Sequence, residues 1–155
     1  MAKLETKLPE GFLLALSRLG DRTDEIIPRV LEAGGKVVLA KVKGNLSTVV
    51  GRGTKVKSRS TGELVRSLGL SPAKLKRDGS GWDVKVGWSE PRRKQYAAKG
   101  KRNYALSTNA MIAAVLEYGR HGQPGKPFMK PAKSQSKEAA IQAMKDQFEQ
   151  EVGRV

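Results

Sequence analysis

"GWDVKVGW", residues 81–88, decides the fold class. Trp82, Val84, Val86 and Trp88 alternate with Asp83, Lys85 and Gly87, so an extended chain has one apolar and one polar face. That is the pattern of a strand covered on one side, as in antiparallel sheets. "RDGSG" (77–81) precedes it as a hairpin turn and places a partner strand around Lys74–Arg77. The tryptophans share the apolar face, so they are expected in a core rather than as stacking platforms for bases.

On both sides of this hairpin the period changes to that of helices. Phe12, Leu16 and Leu19 recur at helical spacing, and Ile26, Val30, Ala33, Val37 and Ala40 do so again after the break "GDRTDE" (20–25). Thr23 or Asp24 is the expected N-cap, with Glu25 in the first turn. Pro28 has no N–H to donate and fits only near that start. Gly34-Gly35 weakens the helix without ending it and suits a close-packed neighbour. Residues 44–59 show no sustained period and are expected to form a mobile loop. In "STGELVRSL" (60–68), Ser60 precedes Glu63 by the capping-box spacing, which predicts a short helix burying Leu64 and Leu68. Residues 89–108 read as a second basic loop. "NAMIAAVLEYG" (109–119) has apolar residues at Met111, Val115 and Tyr118, with Ile112 and Leu116 beside them, and predicts a short helix. A final amphipathic helix carries Ala140, Met144, Phe148 and Val152 on one stripe. The expected architecture is α+β: a small antiparallel β-sheet packed against a long N-terminal helix and a C-terminal amphipathic helix, with long basic loops. Residues 1–155 read as a single domain with a core over about 24–152.

Between the last two helices lies "VLEYGRHGQPGKPFMKPA" (115–132), dense in glycine and proline and holding the only histidine. Its expected role is architectural. Gly119 lets the chain leave the helix, Pro124-Gly125 turns it, and Pro127 and Pro131 set the approach of the last helix around a buried Phe128.

The chemistry of catalysis is thinly supplied. Cysteine is absent, which removes thiolate nucleophiles, disulfides and cysteine metal sites and fits a reducing compartment. Any catalytic triad would have to use His121, which lies in a turn-like stretch. "GRGTK" (51–55) and "GKP" (125–127) lack the spacing of a phosphate loop. No enzyme, no cofactor and no metal site is expected. The start, "MAKLETKLPEGF", carries no run long enough for a signal peptide, and no stretch reaches the length of a membrane span.

Charge is the dominant compositional feature, 30 Lys+Arg against 15 Asp+Glu. Residues 51–103 alone hold 15 basic and 4 acidic side chains. Within them Lys55, Lys57, Arg59, Arg92, Arg93, Lys94, Lys99, Lys101 and Arg102 cluster in the two basic loops, with Tyr96 and Tyr104 interleaved. Such clusters favour phosphate backbones or acidic protein surfaces, without a signature for reading base sequence.

Three motifs in this order resemble the tail-completion, or head–tail joining, family of long-tailed bacteriophages. They are Thr61-Gly62 with Leu64, then Glu117-Tyr118-Gly119, then Pro127-Phe128-Met129 with Pro131-Ala132. The family's proline before the Thr-Gly element is replaced here by Arg59-Ser60, and Tyr104-Ala105 stands twelve residues before Glu117-Tyr118, so 89–108 reads as an insertion. The resemblance implies a non-catalytic virion protein, made in the host cytoplasm and built into the neck. It implies a homo-oligomeric ring, six copies being the expectation, between the head connector or adaptor and the tail tube or terminator proteins. DNA would pass through that ring, within reach of the basic loops. The alternative is a small basic nucleic-acid-binding protein contacting phosphate backbones without sequence readout.

Overall fold

A computed structural model describes residues 20–53, 60, 62–89 and 108–153. It is an α+β fold organised around two long helices. After a 3-10 turn at Gly20–Arg22 comes α1 (Thr23–Val49), and the chain closes with α4 (Met129–Val152). Between them lie a short helix α2 (Glu63–Arg66), strands β1 (Gly69–Leu70), β2 (Lys74–Leu75), β3 (Trp82–Asp83) and β4 (Val86–Gly87), helix α3 (Asn109–Tyr118), and strands β5 (Gly119–Arg120) and β6 (Gln123–Pro124). The helix expected from Phe12, Leu16 and Leu19 lies outside the described residues.

The two long helices run antiparallel, and three contacts fix their register. Arg29 pairs with Glu151 at 2.9 Å, Gly34 lies under Met144, and Asn45 Nδ2 donates to Gln135 Oε1. The buried stripe of α1 is Ile26, Val30, Gly34, Val42 and Leu46, a four-residue repeat. It continues past the expected helix end. Residues 44–49 are helical rather than loop because Leu46 is wholly buried and extends the repeat begun at Ile26. Ala40, expected on the inner stripe, is exposed. The start also differs. Arg22 is the N-cap and is already in the right-handed helical region, so the extended backbone a capping Thr23 or Asp24 needs is not available there. The Thr23 hydroxyl instead donates back to the Gly20 carbonyl. Pro28 stands in the second turn of the helix.

Gly34 and Gly35 bring two neighbours onto α1 at once. A Cβ on Gly34 would lie 2.1 Å from Met144 Cε, and one on Gly35 would lie 2.6 Å from Leu70 Cδ1 and 2.9 Å from Val84 Cγ1. The pair marks where α4 and the hairpin press on adjacent faces of one helix.

That hairpin is the element predicted from residues 81–88, and it is longer and less regular than its alternation suggests. β2 pairs with β3 across the 77–81 turn, where the Ser80 N–H and hydroxyl both donate to Asp78 Oδ1 and hold its carboxyl below the usual range. β1 pairs with β4 further out. Gly69 faces Gly87 and Leu70 faces Val86, but Lys74 faces Asp83, so three residues on one strand (71–73) oppose two on the other (84–85). This is a bulge centred on Pro72, which has no N–H for a ladder. Ser71 spans it: its N–H donates to Lys85 O, and its hydroxyl accepts from Lys85 N–H. Because the extra residue is on the first strand, the Trp82-to-Trp88 alternation survives.

The core lies where α1, α2, the hairpin, α3 and the start of α4 meet. It is built from Val42, Leu46, Leu64, Leu68, Ala113, Phe128 and Ala132. A smaller cluster of Ile26, Val30 and Phe148 closes the far end of the helix pair. On α4, Ala140 and Phe148 are buried as expected, whereas Val152 is 37% exposed and Ala132, Ser136 and Glu151 complete the inner face.

Candidate functional site

The segment 115–132 forms a compact junction, and its organising group is a carboxylate. The first four N–H groups of an α-helix have no partner within the helix. In α4 these belong to Phe128, Met129, Lys130 and residue 131. Glu117 Oε2 accepts from Phe128 N at 2.7 Å and Met129 N at 2.9 Å, and Oε1 accepts from Lys130 N at 3.0 Å. The fourth residue is Pro131, which has no N–H to satisfy. One buried side chain from the last turn of α3 therefore caps the whole start of α4, and its negative charge sits at the positive end of that helix's dipole.

Glycines let the chain make this return. Gly119 has φ 81° and ψ −178°, a conformation essentially reserved for glycine. β5 and β6 then form a two-residue hairpin with Gly119 opposite Pro124 and Arg120 opposite Gln123. The turn is at His121-Gly122, with Gly122 at φ 73°, and not at the expected Pro124-Gly125. Pro124 has instead become a strand residue, and Gly125 packs on backbone: a Cβ there would lie 2.7 Å from Glu117 O. Lys126 N–H donates to Leu116 O at 2.7 Å and ends the return.

Side chains tie the junction to the rest of the fold. Phe128 is wholly buried and meets Trp88 edge-on, ring centres 6.3 Å apart. Trp88 Nε1–H donates to Leu64 O, so both motif residues converge on one tryptophan. Asn45 Nδ2 donates to Phe128 O, and Lys126 Nζ to Arg52 O. Trp88 is thus half-buried against the core with its polar edge satisfied, whereas Trp82, also expected in the core, is half-buried and belongs to neither cluster.

The other sequence candidates fall as follows. Gly62 (φ 73°) is the N-cap of α2 in place of the expected Ser60, because the chain turns into the helix two residues later; Ser60 Oγ accepts from Gly62 N–H. Leu64 and Ala132 are buried, Pro131 is half-buried and Pro127 is exposed. Tyr118 is 84% exposed and Met111 55%. The residues turned inward are Asn109, Ala113 and Glu117, since α3 is rotated to deliver the carboxylate to α4. His121 stands exposed at the hairpin tip. Thr61 and the nine candidate contact cations (Lys55, Lys57, Arg59, Arg92, Arg93, Lys94, Lys99, Lys101, Arg102) lie outside the described residues.

Among the described residues no three His, Cys, Asp or Glu side chains group to hold a metal ion. No helix among them is long and apolar enough to cross a membrane. A shallow cleft among the described residues is lined by Ser67, Trp88, Ser89 and Asn109, with Asn109 Nδ2 donating to Ser67 Oγ. The junction holds and positions helices.

Residues 10–119 match the family described as "Bacteriophage HK97-gp10, putative tail-component". That is more than two thirds of the 155 residues. The chain belongs to this family. The tail-component match runs from before α1 to Gly119, so it takes in Glu117 and stops short of Phe128 and α4. Comparison with curated proteins and with solved structures gives no match. For a tail-component protein the expected location is the virion, and its partners are other structural proteins of the phage.

Sequence reading missed the cap on α4. A signal was present: Glu117 is the sole charged residue between Asn109 and Tyr118, in a helix otherwise too apolar to need one.

Proposed function

We propose that this tail-component protein is a tail-completion, or head–tail joining, subunit. Copies close into a ring, with six as the expected number, at the tail end that meets the capsid connector. The observation that carries this reading is the family match over residues 10–119. The order of the Thr-Gly, Glu-Tyr-Gly and Pro-Phe elements supports the narrower assignment to the neck. The junction around Glu117 suits such a role, since a ring subunit needs a rigid frame on which contact segments are mounted. The role is structural and needs neither cofactor nor catalysis.

The basic segments 51–59 and 92–102 are proposed to meet either DNA in the lumen or acidic surfaces of adjoining rings. The excess of 15 basic over 4 acidic side chains in residues 51–103 motivates this. Electron micrographs of the purified protein with tail tubes test the main reading: rings capping tube ends are expected, and tubes left bare at saturating protein would reject it. Reversal of Arg92, Arg93 and Lys94 to glutamate is expected to impair joining of tails to heads while leaving the fold intact. Duplex binding by the isolated monomer, falling steeply with salt by close to one logarithmic unit of slope per neutralised phosphate, would favour the nucleic-acid protein instead.

A further inference from the structure

The antiparallel pair α1/α4 is electrically polar along its length. The register set by Gly34 against Met144 divides it into two ends. Within the two helices, residues 23–35 and 144–152 hold six acidic and two basic side chains, whereas residues 36–49 and 129–143 hold one acidic and six basic. The segregation is not a by-product of helix stability. In α1 it follows the helix dipole, with Asp24 and Glu25 in the first turn. In α4 it opposes the dipole: Lys130 and Lys133 sit near the positive N-terminal end, while Asp146 and Glu149 sit near the negative C-terminal end. Two antiparallel helices with opposite dipoles share one spatial polarity. What they have in common is the end of the molecule.

We propose that this polarity is an assembly surface for a second copy of the chain: the acidic end of one subunit's α1/α4 pair seats against the basic end of the next, head to tail. Two different patches in one subunit make the contact heterologous, and a heterologous contact repeats into a ring or a filament. Charge complementarity selects the partner. In a chain of net charge +15, copies repel each other everywhere except where a local acidic surface meets the excess cations. The inference rests on the ring reading only for the presence of neighbouring copies.

The test uses two variants of the full chain. Asp146→Lys with Glu149→Lys brings the acidic end of the helix pair to four acidic and four basic side chains, and Lys133→Glu with Lys137→Glu brings the basic end to three acidic and four basic, so each variant cancels the attraction from one side. These four side chains are exposed. Asp146→Lys, Glu149→Lys and Lys133→Glu place charges where the α4 dipole favours them, and Lys137 lies too far along for the dipole to matter, so lost association will not reflect lost helix. Sedimentation velocity should show wild-type self-association that weakens between about 0.05 and 0.5 M salt, as the screening length falls from roughly 14 to 4 Å. Each variant alone should lose it by on the order of tenfold or more, and an equimolar mixture should regain it. The mixture cannot associate through net charge, because both variants stay positive overall. A monomeric wild type, variants that associate like wild type, or a mixture no better than its parts would each overturn the proposal. The tail role would survive any of these, and is tested separately by rings on tubes.

Discussion

Glu117 and Phe128 are joined by a 2.7 Å hydrogen bond from the Phe128 N–H to the Glu117 carboxylate, buried at the point where α3 hands the chain to α4. Phe128 is also the most deeply buried aromatic of the core, so its backbone is fixed by the acid and its ring by Trp88. Capping and packing meet in one residue. Glu117→Ala leaves three donors unsatisfied at a mostly buried helix start, with an expected loss of about 3 kcal/mol. Glu117→Gln keeps one accepting oxygen but turns an NH2 toward another donor, and should cost about 1–2 kcal/mol. Urea unfolding of the two variants checks the order; equal losses would mean that the charge, not the acceptor geometry, matters.

Phe128→Ala removes the ring from the centre of the cluster formed with Leu46, Leu64 and Leu68. Loss of transfer energy and the cavity left behind together predict about 3–5 kcal/mol. Phe128→Leu should cost roughly half that, because it refills part of the space. A thermal midpoint barely moved by the alanine variant would show that the ring does not fill the core of the folded protein.

The legible parts of this fold are those with a strong local period. Trp82 to Trp88, the i, i+4 run through Ile26 and Val30, and Ala140 to Phe148 each carried their element type in the sequence. What escaped depended on partners far along the chain. Leu46 extends α1 because it meets Leu64, Leu68 and Phe128, which no local window contains. Tyr118 faces out because Glu117 must face in, and that demand comes from the N–H groups of α4 eleven to thirteen residues later. The Pro72 bulge was hidden because it interrupts the partner strand and spares the alternating one.

Glycines of α1 separate helix propensity from packing. Gly44 has open space around its Cβ position, so Gly44→Ala should stabilise by about 0.5–1 kcal/mol. Gly34→Ala meets Met144 along its length, Cε at 2.1 Å and Cγ at 2.7 Å, so the whole side chain must shift and the variant should be destabilising by about 1–3 kcal/mol. Gly35→Ala meets Leu70 and the branched Val84 together, and should be destabilising by about 1–3 kcal/mol. Denaturant midpoints should place Gly44→Ala above both Gly34→Ala and Gly35→Ala.

The 119–125 return gives the sharpest contrast. Gly119 and Gly122 both have positive φ, 81° and 73°, yet their surroundings differ. At Gly122 a side chain would point into open space, so Gly122→Ala bears only the left-handed backbone cost of about 1–2 kcal/mol, and Gly122→Asn less. At Gly119 a Cβ would stand 2.6 Å from both Gln123 O and Gly125 N, which are backbone atoms that cannot swing aside. Its own backbone conformation adds a further cost of about 1–3 kcal/mol for any side chain. Gly119→Ala should therefore open the hairpin, pull Lys126 N–H from Leu116 O and loosen the hold of Glu117 on α4. Hydrogen exchange at the amides of Phe128, Met129 and Lys130 reads this directly. They should lose protection in Gly119→Ala and keep it in Gly122→Ala, and equal protection in both would show that the cap does not depend on the return.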